Sequence, residues 1–378
     1  MICIGLTFEL YGNFFMVIWI PYVFLPILDY ILPVDHYNMS EARVRIVEKD
    51  WRFLIPLYAT FFMDIAVLFY MLWGISNERF GLTTFEFIMY AVCSAQCGAL
   101  NAVVGHELIH RRHIFHKICG TIAYAKMMYG HFFIQHIRSH HKKVSTPDDP
   151  STSRLGESLY YFYLRAIPAG YVEVWDYEIS RLKQQGSTAW WEFLVFNRII
   201  TFNVAQLAWL GAVYLIFGAK ACGFHALYSL IVTLMFEAVN YLEHYGLLRK
   251  KLDPTNPESS YESVKIIHSW NAPQVVTSYL LFKLQRHSDH HANAYKPYQI
   301  LDSFVESPML PYGYSVSLVL CVVPFVWKRV VDPVAIATNK GEKITDEQQK
   351  DIDRTVFLTL IASSIFLTWV QFFYIGFN

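Results

Sequence analysis

Three histidine clusters lie far apart along this chain, and few folds let them meet. The tightest is Leu284-Gln285-Arg286-His287-Ser288-Asp289-His290-His291. Residues three and four apart share a helix face, so His287, His290 and His291 can point at one spot. His106 and His110 have that spacing in His106-Glu107-Leu108-Ile109-His110. So do His136 and His140 in His136-Ile137-Arg138-Ser139-His140-His141. A fourth place, Asn240-Tyr241-Leu242-Glu243-His244-Tyr245-Gly246, ends an apolar run in a single histidine. Neutral imidazole is a common metal ligand, and imidazoles buried together are costly unless something binds them. The pattern predicts a polynuclear metal centre held by nine histidines: His106, His110, His136, His140, His141, His244, His287, His290 and His291.

The setting follows from composition. The chain is 54% hydrophobic and 16% charged, where soluble domains carry roughly 25% charged residues. This is the composition of a membrane protein. Zero net charge gives no case for nucleic acid. The six cysteines form no Cys-x-x-Cys pair, so no rubredoxin-like or thioredoxin-like motif is built in. Cys93 and Cys97 read as packing residues. No basic region precedes the first apolar run, so no cleavable signal peptide is expected.

A spanning helix needs about 20 mostly apolar residues. Residues 8–32 qualify, with Pro21 and Pro26 expected to bend them, as do 53–75, 85–105 and 355–376. Residues 192–217 and 221–243 read as an antiparallel pair joined near Gly218. Residues 312–328 read as interfacial. Residues 114–134 are apolar enough to cross, yet a crossing there would put His110 and His136 about 30 Å apart on opposite faces. A re-entrant or surface-lying helix is therefore predicted, with Lys117 and Lys126 taken as marks of a partly wetted element. The expectation is an all-α polytopic fold of about six transmembrane helices with a cap on the histidine side. Residues 1–332 form the membrane domain, 333–354 a charged linker and 355–378 an extra C-terminal transmembrane helix. Nearly every Lys and Arg falls on the histidine side, which makes that side cytosolic or matrix-facing. Arg79 and Lys220 are the basic residues expected opposite.

Metal-bound histidines usually donate their other ring N–H to a carboxylate, carbonyl or water. Glu107, Glu243, Asp289 and Asp149 are the expected supports, with His268 of His268-Ser269-Trp270-Asn271 as a further donor. His113 reads as a support or surface residue, and His225 as having no catalytic role. Zinc lacks redox chemistry, whereas non-haem iron with open positions activates O₂.

Taken together, the motifs resemble those of the membrane alkane hydroxylases, the alkane 1-monooxygenase family that includes xylene monooxygenase. The resemblance runs from about Tyr11 to Asp332. It is carried by the clusters above, by Gly130-His131-Phe132-Phe133-Ile134-Gln135-His136, by Thr146-Pro147-Asp148-Asp149-Pro150 and by Leu155-Gly156-Glu157-Ser158. It implies a non-haem di-iron centre on all nine histidines, with O₂ as co-substrate. It also implies electrons from rubredoxin and its NADH-dependent reductase, and hydroxylation of a terminal methyl drawn from the bilayer. An acidic donor is expected near Arg138, Lys142 and Lys143. Gln135 stands where Glu is usual, and Ile109 and Ser139 where Gly is usual; none of these removes a ligand. The family has another span before residues 8–32, and the last helix has no counterpart in it. Two rival readings follow. One is a hydroxylase-like scaffold serving as a structural subunit, with the C-terminal helix as a docking element for membrane-complex partners. The other is a zinc protease using Glu107 as general base, which leaves seven patterned histidines without a task.

Overall fold

The computed structural model describes residues 16–80 and 83–374. In chain order the helices are α1 (Met16–Ile31), α2 (Glu41–Val47), α3 (Leu54–Ser76), α4 (Thr84–His110) and α5 (Ile114–Lys126). Next come α6 (132–143), α7 (Leu159–Gln184), α8 (Trp190–Val195) and α9 (Arg198–His244). The last are α10 (Val275–Leu280), α11 (His287–Ala292), α12 (Gly313–Cys321), α13 (Pro324–Lys340) and α14 (Asp346–Trp369). Among the described residues there is no strand beyond isolated bridges. Helices at four places are long and apolar enough to cross a membrane: Trp51–Ser76, Thr84–His110, Arg198–His244 and Asp346–Phe372. Phe62, Phe69, Leu207, Leu215, Leu230, Ile365 and Phe366 stand exposed on them, as lipid-facing side chains do.

Chemistry at the helix ends sets several boundaries. Thr83 and Glu86 form a reciprocal capping box that starts α4, and that helix runs on through His110 without a break. The 47 residues of α9 are two helices, because Gly218 has φ +85°, open to glycine without strain. The halves fold back on each other: the Trp209 indole lies 2.8 Å from Nε2 of His225, and Cys222 Sγ is 3.8 Å from the Leu210 carbonyl. The expected antiparallel pair is thus present. Its first residues instead form the separate α8, and Asn197 caps the start of α9 through Ile199 N–H. Within α1, residues Ile20–Phe24 form a π-turn containing Pro21; the expected residues 8–15 lie outside the described ones.

α5 settles where the second histidine cluster can sit. It has 13 residues, about 20 Å of helix, and runs back along α4. Glycines make this contact possible: a Cβ on Gly120 would stand 2.8 Å from the Gly105 carbonyl and 2.7 Å from Ile109 Cγ2. A turn then sends α6 back toward His110. Its irregular backbone is sheltered by protein, as it must be at membrane depth. The Gly130 N–H donates to Gln206 Oε1 at 2.7 Å, and the Tyr129 hydroxyl to Glu237 Oε1 at 2.8 Å. Lys126 is not wetted. It is buried against Asp64, and the Tyr228 hydroxyl lies 2.9 Å away, while Asn101 donates to the same Asp64 carboxylate at 2.8 Å.

Two other expectations differ. Residues 312–328 form α12 and the start of α13, whose Tyr314, Leu320 and Trp327 are fully buried against the inner half of α9. The stretch 333–354 is mostly helical: α13 continues to Lys340, Gly341 ends it in the left-handed region, and α14 begins at Asp346. Its charges line the outer faces, while Ala335 and Ile352 are buried. α14 is tied down by an Arg329–Asp351 ion pair and by the Trp19 indole donating to Thr368 Oγ1 at 3.1 Å.

Candidate metal centre

Each histidine cluster reaches the site on a different element. His106 and His110 ride the last turn of α4, and the π-wound segment Gln135–His140 of α6 brings His136 and His140 beside them. His244 ends α9, and α11 carries His287, His290 and His291. α11 is only 6 residues long and is held by its neighbours. Asn271 Oδ1 accepts from Ser288 N–H at 2.9 Å, and its amide donates to Ser288 Oγ at 2.7 Å. Trp270 N–H donates to the Glu243 carbonyl at 2.9 Å, which ties the same loop to the end of α9. Buried Arg286 donates to the Leu301 carbonyl at 2.6 Å and pairs with Asp35 at 3.1 Å.

These elements converge. The ring nitrogens of His106, His110, His136, His141 and His290 lie within 4.8 Å of one another. Nε2 of His136 is 3.0 Å from Nε2 of His110 and 3.0 Å from Nε2 of His141. A second group joins His140, His244 and His291, and His287 meets it with Nε2 3.2 Å from His244 and 3.0 Å from His291. The groups share an edge where the His141 and His291 rings stand 4.6 Å apart. Burial, reinforced by the neighbouring imidazoles, pushes His136, His141, His287, His290 and His291 well below the usual histidine range. The rings are therefore neutral and offer lone pairs. Nε2 of His106, His140 and His290 is buried without a hydrogen-bond partner. Buried nitrogens without partners, aimed at a common point, fit a bound cation. This is a metal site.

The supporting residues divide. Asp149 accepts from Nδ1 of His140 at 2.9 Å and is itself held by Thr152 Oγ1 at 2.7 Å. Glu243 Oε2 lies 3.4 Å from Nε2 of His287, and the Tyr314 hydroxyl donates to its other oxygen at 2.8 Å. Glu107, Asp289 and His268 point elsewhere, which corrects the expectation for them. A helical neighbour of a ligand faces about 100° away. Accordingly, Glu107 takes the Arg111 guanidinium at 2.7 Å and Asp289 takes Lys296 at 2.9 Å. His268 accepts from Lys265 N–H at 3.0 Å. Glu107, neutralised by arginine, is not placed as the free general base of a protease. His113 is exposed and caps Phe115 N–H at 3.2 Å, and His225 meets Trp209 far from the centre.

A cleft of about 230 Å³ borders His110, lined by Glu107, Arg111, Arg112, Tyr295 and Lys296 among others. A broader groove lies beside α7, where Arg138, Lys142 and Lys143 meet Asp148 and Asp176.

Comparison with known proteins places this arrangement. The fatty acid desaturase family model matches residues 82–317, the segment holding all nine histidines, so the chain belongs to that family. Within it, the chain belongs with the alkane 1-monooxygenases. It is 33% identical to the alkane 1-monooxygenase of Ectopseudomonas oleovorans over 355 residues, covering 94% of this chain and 86% of the relative. With that of Pseudomonas putida it shares 34% over 333 residues, 88% and 81% of the two chains. The xylene/toluene monooxygenase hydroxylase component of Pseudomonas putida is 27% identical over 334 residues, 85% and 83%.

Proposed function

We propose that this chain is an integral-membrane, non-haem di-iron monooxygenase that hydroxylates the terminal methyl of an alkane or fatty-acyl-like chain. The observation that carries the reading is the pair of edge-sharing imidazole groups, with buried nitrogens that have no partner. Two iron ions bound there would supply the reduction of O₂: one oxygen atom enters the terminal C–H bond, the other leaves as water, and two electrons and two protons are consumed. His106, His110, His136, His141 and His290 hold one ion, and His140, His244, His287 and His291 the other. Asp149 accepts a hydrogen bond from the Nδ1–H of His140 and so fixes its tautomer, leaving Nε2 free to bind. Tyr314 orients Glu243 toward His287.

Six crossings belong to this reading: residues 8–32, α3, α4, both halves of α9, and α14. The histidine side faces the cytosol or matrix by its basic charge. Residues 1–332 make up the hydroxylase unit. The outer face of α14 exposes Leu358, Ile365 and Phe366 to lipid or membrane partners. The substrate comes from the bilayer. A rubredoxin-type donor with an NADH-dependent reductase docks on the basic cytosolic face. The test is iron content together with NADH- and O₂-dependent conversion of alkane to 1-alkanol. A folded chain loaded with two irons that turns over no apolar chain with a competent donor would reject the reading.

A further inference from the structure

Most buried carboxylates in this protein have a cation beside them. Asp64 has Lys126, Glu107 has Arg111, Glu157 has Arg165, Glu178 has Arg181 and Arg198, and Asp289 has Lys296. Glu237, in the inner half of α9, has none, as is true of Glu243 and Asp29. Glu237 is 1% exposed, and its hydrogen bonds come from two neutral donors, the Tyr129 hydroxyl at 2.8 Å and the Asn240 amide at 3.2 Å. An ionised carboxylate held only by neutral dipoles is expensive away from water, and more so at membrane depth.

The metal centre has the opposite imbalance. Nine neutral imidazoles contribute no charge, and Asp149 and Glu243 beside them would offset at most two of the four positive charges that two divalent ions bring. Glu237 stands seven residues before His244, and Tyr129 seven before His136. Two helical turns of α9 put Glu237 about 10 Å below His244. The space between is filled by rings rather than water. Phe132 packs 5.0 Å from the His136 ring and 4.7 Å from the Phe236 ring, and all three are buried. Charges separated by such a medium are poorly screened.

We propose that Glu237 is a further ionised counter-charge of the loaded metal centre, beyond Asp149 and Glu243. It touches no metal and acts through the field, held in place by Tyr129 and Asn240. This rests on the reading above only in requiring two divalent ions. The test titrates Zn²⁺ into the metal-free full-length chain in lipid nanodiscs against a chromophoric chelator. Glu237→Gln should weaken Zn²⁺ binding by about ten-fold or more, and Glu237→Asp should restore most of it. In the iron-loaded protein, Glu237→Gln should shift the reduction potential to a more positive value, because the reduced ions need less counter-charge. If Glu237→Gln does not fold, Glu237→Leu, an apolar replacement of similar volume, serves the same test. A charge-removed variant that binds Zn²⁺ within two-fold of wild type and keeps its potential overturns the inference and leaves the proposed function standing. A wild-type chain that takes up neither Zn²⁺ nor iron overturns both.

Discussion

Two polar regions are buried in this protein, and they are built on opposite principles. In the first, Lys126, Tyr228 and Asn101 from three helices gather on the Asp64 carboxylate of a fourth, cation against anion. In the second, nine imidazoles crowd together with nitrogen facing nitrogen, and several of those nitrogens have no partner. The first balances its charges within the protein. The second is complete only with something added. A closed network of charges pins a fold, while an open set of lone pairs waits for a cation. Buried polarity alone therefore does not mark a metal site; the distinction is whether the donors and acceptors balance.

The comparison can be broken at either end. The largest effect is expected at the centre: His287→Ala removes a ring that meets both His244 and His291. It should lower bound iron from two per chain to one or fewer and activity by at least about 100-fold, read by elemental analysis and turnover. Next, Asp64→Asn strands the buried Lys126 ammonium and should cost about 3–5 kcal/mol, seen as a fall in Tm. Asp64→Leu combined with Lys126→Met should recover most of that loss. A double variant no better than the single one would show that the first region is not the closed pair described.

Asp149→Asn keeps the shape but weakens the hold on His140, and should reduce metal affinity about 10–100-fold in a chelator competition. The smallest effect lies outside both regions, at Glu178 on α7. Burial would raise its carboxyl, but hydrogen bonds from Arg198 and Arg181 prevail and hold it at about 2. A depressed carboxyl stabilises the fold above its ordinary value of 4.5, and that contribution is lost as pH falls from there toward 2. Glu178→Gln should cost on the order of 1 kcal/mol at neutral pH after solvent screening and flatten the acid limb of the stability curve.

The first region was invisible in the sequence. Asp64 and Lys126 are 62 residues apart, and a lone lysine in an apolar run looks like a wetted surface. The turn after α5 was legible because the clusters on either side of it have to meet, a constraint far stronger than hydropathy. Contacts of the supporting residues were only partly legible. Asp149 and Glu243 touch histidine rings, while Glu107 and Asp289 turn to Arg111 and Lys296, because a carboxylate next to a ligand points off that ligand's face and meets whatever another element or turn brings there. The charged stretch before α14 looked like a linker because its polar residues outnumber the few, such as Ala335 and Ile352, that dock it.

The cleft beside His110 opens the centre toward Glu48, Arg112 and Tyr295. In the orientation proposed above, ions bound there would exchange with the cytosolic or matrix compartment. A bulky, impermeant chelator should strip metal from inside-out vesicles and spare right-side-out ones, which turns metal loss into a direct readout of how the protein sits in its bilayer.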